Sequence, residues 1–248
     1  MRKPIIGANW KMNLTCEEAI QRFTEISSLS EINSNVELVV FPPQLYLALL
    51  SKMNGVSLGA QNAYAPDLFG AFTGETSLMQ LKEIQINSIL VGHSERRLYF
   101  GEDDDFLCAK AKTALDLGFQ VFYCCGESDE IRSNGTAIAY VESQLKPLLE
   151  HLNDSHTSLL VVAYEPIWAI GSGKVPSLAE IEEVHAAIRN LCERHFSKEA
   201  AQSIRIVYGG SCNASNANAI FRLPNVDGGL VGGASLKVET FKPIIEQL

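Results

Sequence analysis

The sequence has no long apolar run. None of its uninterrupted hydrophobic stretches approaches the roughly 20 residues that a membrane-spanning helix requires. No apolar segment of the kind found in signal peptides follows Met1-Arg2-Lys3. We therefore predict a cytoplasmic protein that makes no membrane contact.

The chain is also poor in basic residues. Lysine and arginine number 20 against 29 aspartates and glutamates, and the formal net charge is −9. A general nucleic-acid-binding protein presents a basic surface, so no nucleic-acid partner is expected. An anionic small substrate stays compatible with this charge, because a local field can oppose the net charge.

Motifs for disulfides, metals and nucleotides are missing as well. The six cysteines form no Cys-x-x-Cys pair and are expected to be free, mostly buried thiols. The five histidines lack the spacing of a zinc site. Gly173-Lys174 lacks the earlier glycine of a Walker A loop, and residues 228–233 do not satisfy G-x-G-x-x-G. We predict no metal, nucleotide or other cofactor.

What the chain contains is an alternation of strand-like and helix-like segments. Eight short apolar runs, most of them continuously hydrophobic, favour parallel strands buried on both faces. They are Ile5–Ala8, Val36–Phe41, Val56–Ala60, Ser88–Val91, Gln120–Cys124, Leu159–Ala163, Ile204–Tyr208 and Gly229–Val231. Helical patterns lie at Glu17–Leu29, which Thr15 and Glu18 open with a capping-box pattern, and at Asp105–Leu117, Ala137–Leu152, Ala179–His195 and Leu236–Leu248.

This alternation predicts an α/β fold, namely a single-domain (β/α)8 barrel over residues 1–248. The length suits such a barrel, and no linker rich in proline, glycine or serine divides the chain. An open doubly wound sheet is the alternative, because periodicity alone does not exclude it.

Polar residues follow the predicted strands at the end where barrel enzymes carry their active sites. They are Asn9 and Lys11 after the first run, His93 and Glu95 after the fourth, Glu165 after the sixth, and the turns Gly209-Gly210-Ser211 and Gly232-Gly233 after the last two. Each has an ordinary structural explanation when taken alone, such as a solvated lysine, a core histidine or a tight turn. Their shared location predicts one site.

The segment after Glu165 has the composition of a lid. Pro166 stiffens its start, Trp168 gives it an apolar face, and Gly171 and Gly173 loosen its end. We expect Glu165 at the edge of the sheet, half out of water, where its surroundings can tune its basicity. A base beneath a closing lid is a catalytic arrangement.

The glycine turns indicate a phosphate site, because glycines let backbone N–H groups approach an anion and the last two loops usually bind phosphate in this fold. Gly171 is a candidate third donor. A base (Glu165), a neutral donor (His93) and a cation (Lys11) suit proton abstraction next to the carbonyl of a phosphorylated small molecule. No nucleophile–base pair for acyl transfer is evident, and a metal-dependent aldolase is the weaker enzyme alternative.

Longer motifs resemble the triosephosphate isomerase family and cover essentially the whole chain in the family's order. They are Asn9-Trp10-Lys11-Met12-Asn13, Gly59-Ala60-Gln61-Asn62, Gly70-Ala71-Phe72-Thr73-Gly74-Glu75, Val91-Gly92-His93-Ser94-Glu95-Arg96-Arg97, the lid after Glu165, Tyr208-Gly209-Gly210-Ser211 and Leu230-Val231-Gly232-Gly233-Ala234-Ser235-Leu236. The resemblance implies that dihydroxyacetone phosphate and glyceraldehyde 3-phosphate are interconverted without a cofactor.

The same resemblance implies a role for each catalytic candidate. Glu165 would carry the proton between the two substrate carbons, and His93 would act as a neutral electrophile. Lys11 would offset substrate charge while Asn9 orients an oxygen. Glu95 would link this cluster to Lys11.

It also implies a phosphate site and a homodimer. Thr73 and Glu75 lie in the segment that would insert into the neighbouring subunit and bring Thr73 towards its active site. The phosphate-binding positions match Gly171, Ser211, Gly232 and Gly233.

Some positions depart from the family pattern. Ser172 stands where threonine is usual, Pro176 where a small hinge residue is usual, and Cys125 where an aliphatic residue is common. The segment 62–70 is slightly longer than usual and apolar. None of these changes removes a catalytic group. A related barrel acting on another phosphosugar and a non-catalytic binding role are the alternative functions.

Overall fold

Eight parallel strands close into a barrel in the computed structural model, which describes residues 2–32, 34–65, 67–169 and 175–248. The strands are β1 (Ile5–Asn9), β2 (Glu37–Phe41), β3 (Ser57–Ala60), β4 (Ser88–Val91), β5 (Gln120–Cys125), β6 (Leu160–Tyr164), β7 (Arg205–Tyr208) and β8 (Gly228–Val231). Each pairs with the next along the chain, and β8 pairs with β1. Every predicted run overlaps its strand, so the (β/α)8 barrel is confirmed and the open sheet is wrong.

Helices connect the strands. They are α1 (Cys16–Ile32), α2 (Leu47–Leu50), α3 (Leu78–Glu83), α4 (Ser94–Phe100), α5 (Asp104–Asp116), α6 (Asp129–Ser133), α7 (Ala137–Glu150), α8 (Leu178–His195), α9 (Lys198–Ser203), α10 (Ala217–Phe221) and α11 (Val238–Ile245). The long helices α1, α5, α7 and α8 match predicted segments. The predicted last helix instead begins at Val238, after a short 3₁₀ helix at Gly233–Leu236. No helix among the described residues combines the length and hydrophobicity needed to cross a membrane.

Side-chain caps fix where the two longest helices begin. The Thr15 N–H donates to Glu18 Oε2 at 2.7 Å, and the Glu18 N–H donates to Thr15 Oγ1 at 3.4 Å, which confirms the capping box before α1. Ser177 and Glu180 form the same reciprocal pair before α8. Such caps satisfy N–H groups that the first helical turn leaves without partners, and each contributes about 1 kcal/mol.

Apolar side chains fill the barrel and the layer around it. The interior cluster consists of Ile5, Val39, Phe41, Leu90, Phe122, Cys124, Val161, Ala163, Val207 and Leu230. Phe41 and Phe122 meet edge to face with ring centroids 5.0 Å apart. Gly59 makes room for this pair, since a Cβ there would lie 2.2 Å from the Phe41 ring. A larger cluster joins the strands to the helices. Because the interior is packed, the strand ends are where a site can open.

Candidate active site

A cavity of about 430 Å³ opens at the C-terminal ends of the strands. β1 ends at Asn9, β4 ends shortly before His93, and β6 ends directly before Glu165. The predicted residues that line the cavity are Asn9, Lys11, His93, Glu165, Ser211, Gly232 and Gly233. The strand ends therefore bring together most of the side chains that the sequence singled out.

Glu165 is held by two groups from the turn between β4 and α4. The Ser94 N–H donates to Glu165 Oε2 at 2.9 Å, and His93 Nε2 lies 3.3 Å from Glu165 Oε1. The residue is only 2% exposed, so the prediction of a half-exposed carboxylate is wrong. The reason is that the side chain packs under the glycine turn after β7, where a Cβ at Gly209 would lie 2.8 Å from Glu165 Cγ.

The backbone defines which nitrogen of His93 carries the proton. His93 caps α4, and its Nδ1 accepts a hydrogen bond from the Glu95 N–H at 3.2 Å. An accepting Nδ1 has no proton, so the neutral ring carries its proton on Nε2. The helix therefore selects the tautomer that turns an N–H donor towards Glu165 and the cavity.

Lys11 adopts a left-handed backbone conformation, with φ of 51°. The Lys11 N–H donates to Asn9 Oδ1 at 3.0 Å, and Gln61 Nε2 donates to the Lys11 carbonyl at 2.8 Å. These two contacts hold a conformation that residues other than glycine rarely adopt. They place the ammonium group 2.6 Å from Glu95 Oε1.

Glu95 and Glu75 lie beside this cavity and not in it. A neighbouring cavity of about 480 Å³ is lined by Glu95, Glu75 and Met12, and it shares Asn9, Lys11 and His93 with the first. Thr73 lines neither cavity and is exposed. The predicted dimer segment therefore borders the site at Glu75, while Thr73 is free on the surface of the single chain.

The predicted phosphate end is formed by the loops after β7 and β8. Gly232 precedes the 3₁₀ helix at Gly233–Leu236. A Cβ built at Gly233 would have no heavy atom within 4 Å, so the space beside this glycine is open. The Lys11 side chain reaches this turn, with its Cε 3.7 Å from where a Gly232 Cβ would be. Ser211 Oγ donates to the Ala169 carbonyl at 3.4 Å. Gly171 lies outside the described residues.

Comparison with known proteins decides the family. A family model described as Triosephosphate isomerase matches residues 4–248. The chain belongs to the triosephosphate isomerase family. It is 41% identical to the triosephosphate isomerase of Amoebophilus asiaticus, 44% to that of Neurospora crassa and 42% to that of Lactiplantibacillus plantarum. These alignments cover 100%, 96% and 99% of this chain and 100%, 96% and 98% of the relatives. The protein is therefore an isomerase.

Glu127 lies outside the triosephosphate isomerase family motifs found in the sequence. Its carboxylate binds Trp168, near the start of the lid segment. Glu127 is fully buried, and its Oε1 accepts from Trp168 Nε1 at 2.8 Å and from the Tyr164 hydroxyl at 3.0 Å. Burial raises the pKa of the Glu127 carboxyl, and the hydrogen bonds from Trp168 and Tyr164 oppose that rise. No motif signals this contact, although Glu127 follows β5 as the catalytic candidates follow their strands.

The six cysteines of the chain are all free, with Cys16 exposed and the other five buried. Cys212 lines the cavity, and burial raises the pKa of its thiol to about 12. The thiol therefore stays protonated near neutral pH and is a poor nucleophile. Among the described residues, no group of three or more histidine, cysteine, aspartate or glutamate side chains is placed to hold a metal ion.

Proposed function

We propose that the protein interconverts dihydroxyacetone phosphate and D-glyceraldehyde 3-phosphate by proton transfer through an enediolate, as a cytoplasmic enzyme of glycolysis and gluconeogenesis. The observation that carries the proposal is the distance of 3.3 Å between Glu165 Oε1 and His93 Nε2. The other ring nitrogen of His93, Nδ1, already accepts a hydrogen bond from the Glu95 N–H. The Glu165–His93 contact pairs a base with a neutral N–H donor. The whole chain, residues 1–248, would act as one catalytic domain.

Glu165 is the base in this scheme. It removes a proton from the carbon of dihydroxyacetone phosphate that bears the hydroxyl group, and the C–H electron pair forms the C=C bond of the enediolate. The carbonyl oxygen then becomes an oxyanion. Return of the proton to the neighbouring carbon, with transfer of the hydroxyl proton between the two oxygens, gives the aldehyde product.

His93 and Lys11 stabilise the charge that develops. The Nε2–H of His93 donates to the enediolate oxygen, and the ammonium group of Lys11 balances charge on the oxygens and the phosphate. The hydrogen bond from Lys11 Nζ to Glu95 Oε1, 2.6 Å long, holds that ammonium group at the cavity when no substrate is bound. Asn9 supports the arrangement through the Lys11 backbone.

The phosphate would be held by Ser211, Gly232 and Gly233, with Gly171 as a further donor from the lid segment. Backbone N–H groups bind an anion without adding positive charge, which suits a protein with a formal net charge of −9. Lys11 is close enough to the Gly232 turn to contribute to this end of the site as well.

We infer that the active form is a homodimer. Large apolar side chains are exposed on the single chain, and two of them, Met12 at 95% and Phe100 at 67%, line the second cavity. Further examples on this chain are Leu45, Phe69, Phe72, Leu98 and Tyr99. Exposed apolar side chains of this size are typical of subunit interfaces, and Glu75, which lines the same cavity, would contact the second copy there.

The decisive experiment measures isomerase activity on glyceraldehyde 3-phosphate, coupled to reduction of the dihydroxyacetone phosphate formed. Glu165→Ala should abolish most turnover. Glu165→Asp should lower kcat by on the order of a hundredfold with little change in KM, because shortening the side chain withdraws the base by about 1 Å. Glu246→Ala, at an exposed position directly after α11, is the matched control and should leave kcat unchanged.

Two results would argue against this function. Wild-type turnover in Glu165→Asp would exclude Glu165 as the base. No turnover of triose phosphates by the folded wild-type protein would favour another phosphosugar or a binding role.

A further inference from the structure

The turn that carries His93 is anchored from behind by an arginine outside the cavity. Arg97 lies on α4, and its Nε donates to the Gly92 carbonyl at 2.9 Å. Its Nη2 donates to the Cys124 carbonyl on β5 at 3.2 Å. One guanidinium group therefore ties the peptide before His93 to the neighbouring strand.

The guanidinium group is itself fixed. Arg97 Nη1 lies 2.5 Å from Asp104 Oδ1, in the first turn of α5, and the guanidinium carbon lies 5.9 Å from the Tyr123 ring centroid. The Arg97 side chain is 15% exposed. Each of its three nitrogens donates a hydrogen bond, and a planar group held in this way has little freedom to move.

Gly92 leaves room for the side chain of this arginine. Its φ of +76° is a conformation that side chains rarely adopt, and a Cβ at this position would lie 3.1 Å from Arg97 Nη2 and 3.2 Å from the Cys124 carbonyl oxygen. The absence of a side chain at Gly92 thus gives the guanidinium group its space. The Arg97 N–H also donates to the His93 carbonyl at 3.3 Å, so Arg97 contacts the carbonyls of both Gly92 and His93.

The anchored turn supplies a contact to each oxygen of the Glu165 carboxylate. The Ser94 N–H holds Oε2 at 2.9 Å, and His93 Nε2 lies 3.3 Å from Oε1. A shift of the turn would move the base and the electrophile relative to each other. Misplacement of reacting groups by about 1 Å can cost on the order of a hundredfold in rate.

We propose that Arg97 is a positioning residue for the reaction: by holding the Gly92 and Cys124 carbonyls together, it sets the orientation of the His93 imidazole against Glu165. This inference rests on the proposed roles of His93 and Glu165. Arg97 does not line the cavity, so it acts through the turn and not on the substrate.

The test compares Arg97→Met and Arg97→Lys with a matched control. Arg205→Met also removes a mostly buried arginine, 10% exposed and paired with Glu37 at 2.5 Å, but from β7. Three quantities are measured: kcat and KM in the isomerase assay, the inhibition constant of inorganic phosphate, and the nitrogen-15 resonances of the His93 ring. His93→Gln assigns those resonances.

We expect Arg97→Met to lower kcat by about tenfold to a hundredfold, with KM and phosphate inhibition within about twofold of wild type. The two ring nitrogens of His93, distinct for a fixed tautomer, should move towards averaged positions. Arg97→Lys should give an intermediate kcat, and Arg205→Met should match wild type. Should Arg97→Met fail to fold, Asp104→Asn loosens the same guanidinium group and should show a smaller loss in the same direction.

The proposal is overturned if Arg97→Met retains the kcat of Arg205→Met, or if the ring resonances of His93 are unchanged while kcat falls. Failure of the proposed function has a different signature. In that case either the folded wild type does not turn over triose phosphates or His93→Gln keeps wild-type kcat, and the ring resonances in Arg97→Met still report whether Arg97 orients the imidazole.

Discussion

At the scale of single residues, His185 is a buried histidine that the proposed reaction does not use. It lies on α8 with no exposed surface, donates from Nδ1 to the Asn225 carbonyl at 3.2 Å, and packs edge-on against Tyr164 with ring centroids 5.7 Å apart. Burial lowers its pKa from 6.5 to about 4. The neutral ring is thus part of the folded core.

This histidine should make stability fall as the pH is lowered. The unfolded chain takes up a proton at His185 near pH 6.5 and the folded chain only near pH 4, so the unfolded state binds more protons between these values. Between pH 7 and pH 5 the folded state should lose about 2 kcal/mol through this group. His185→Phe keeps a ring but cannot titrate. Urea unfolding at both pH values, at one protein concentration, should show a smaller loss for the variant, and parallel losses would contradict this assignment.

At the scale of secondary-structure elements, a buried ion pair joins parts of the fold that are distant in sequence. Asp227 contacts Arg2 Nε at 2.5 Å and Arg189 Nη2 at 2.6 Å, and it accepts from the Ile206 N–H at 2.8 Å. Arg189 also donates to the Ile204 carbonyl. The network connects the N-terminal segment, α8, β7 and the approach to β8 at the bottom of the barrel.

Removal of one charge from this network should be costly. Asp227→Asn leaves the Arg189 guanidinium group buried without its counter-ion, and we expect the free energy of unfolding to fall by about 3–5 kcal/mol. Glu142→Gln breaks the exposed pair with Arg194 and should change it by less than about 0.5 kcal/mol. Urea denaturation of both variants measures the difference. Equal stabilities would show that the buried pair contributes no more than a surface pair.

The elements also show what the sequence could predict. β4 coincides with its predicted run, and α8 with its periodic segment, because hydrophobic runs and periodicity are local signals. Helices as short as α2 and α6 contain too few residues for a period to show. The role of Gln61 depends on a contact with Lys11 that is 50 residues away, and that of Glu127 on Trp168, 41 residues away. Such contacts exist only once the barrel has closed.

At the scale of the whole molecule, the exposed apolar surface is the feature that a single chain leaves unexplained. Leu98, Tyr99 and Phe100 are consecutive, and each is at least 67% exposed. Met12 and Phe100 both border the cavity that Glu75 also lines. Burying these side chains against a second copy would remove them from water, and burial of apolar area contributes about 25 cal/mol per Å². The same contact would place each Thr73 segment beside the active site of the other subunit.

Thr73→Glu tests this assembly. The substitution places a carboxylate close to Glu75 in a segment that the dimer would bury, and an unpaired buried charge is strongly destabilising. Light scattering of the wild type should give twice the chain mass of 27.2 kDa, and the variant at the same low concentration should shift towards the single-chain mass. Thr24→Glu, at an exposed position on α1, is the matched control and should keep the wild-type mass. If Thr73→Glu also keeps that mass down to nanomolar concentration, the Thr73 segment is not the subunit contact, and the exposed apolar surface must pair in another way.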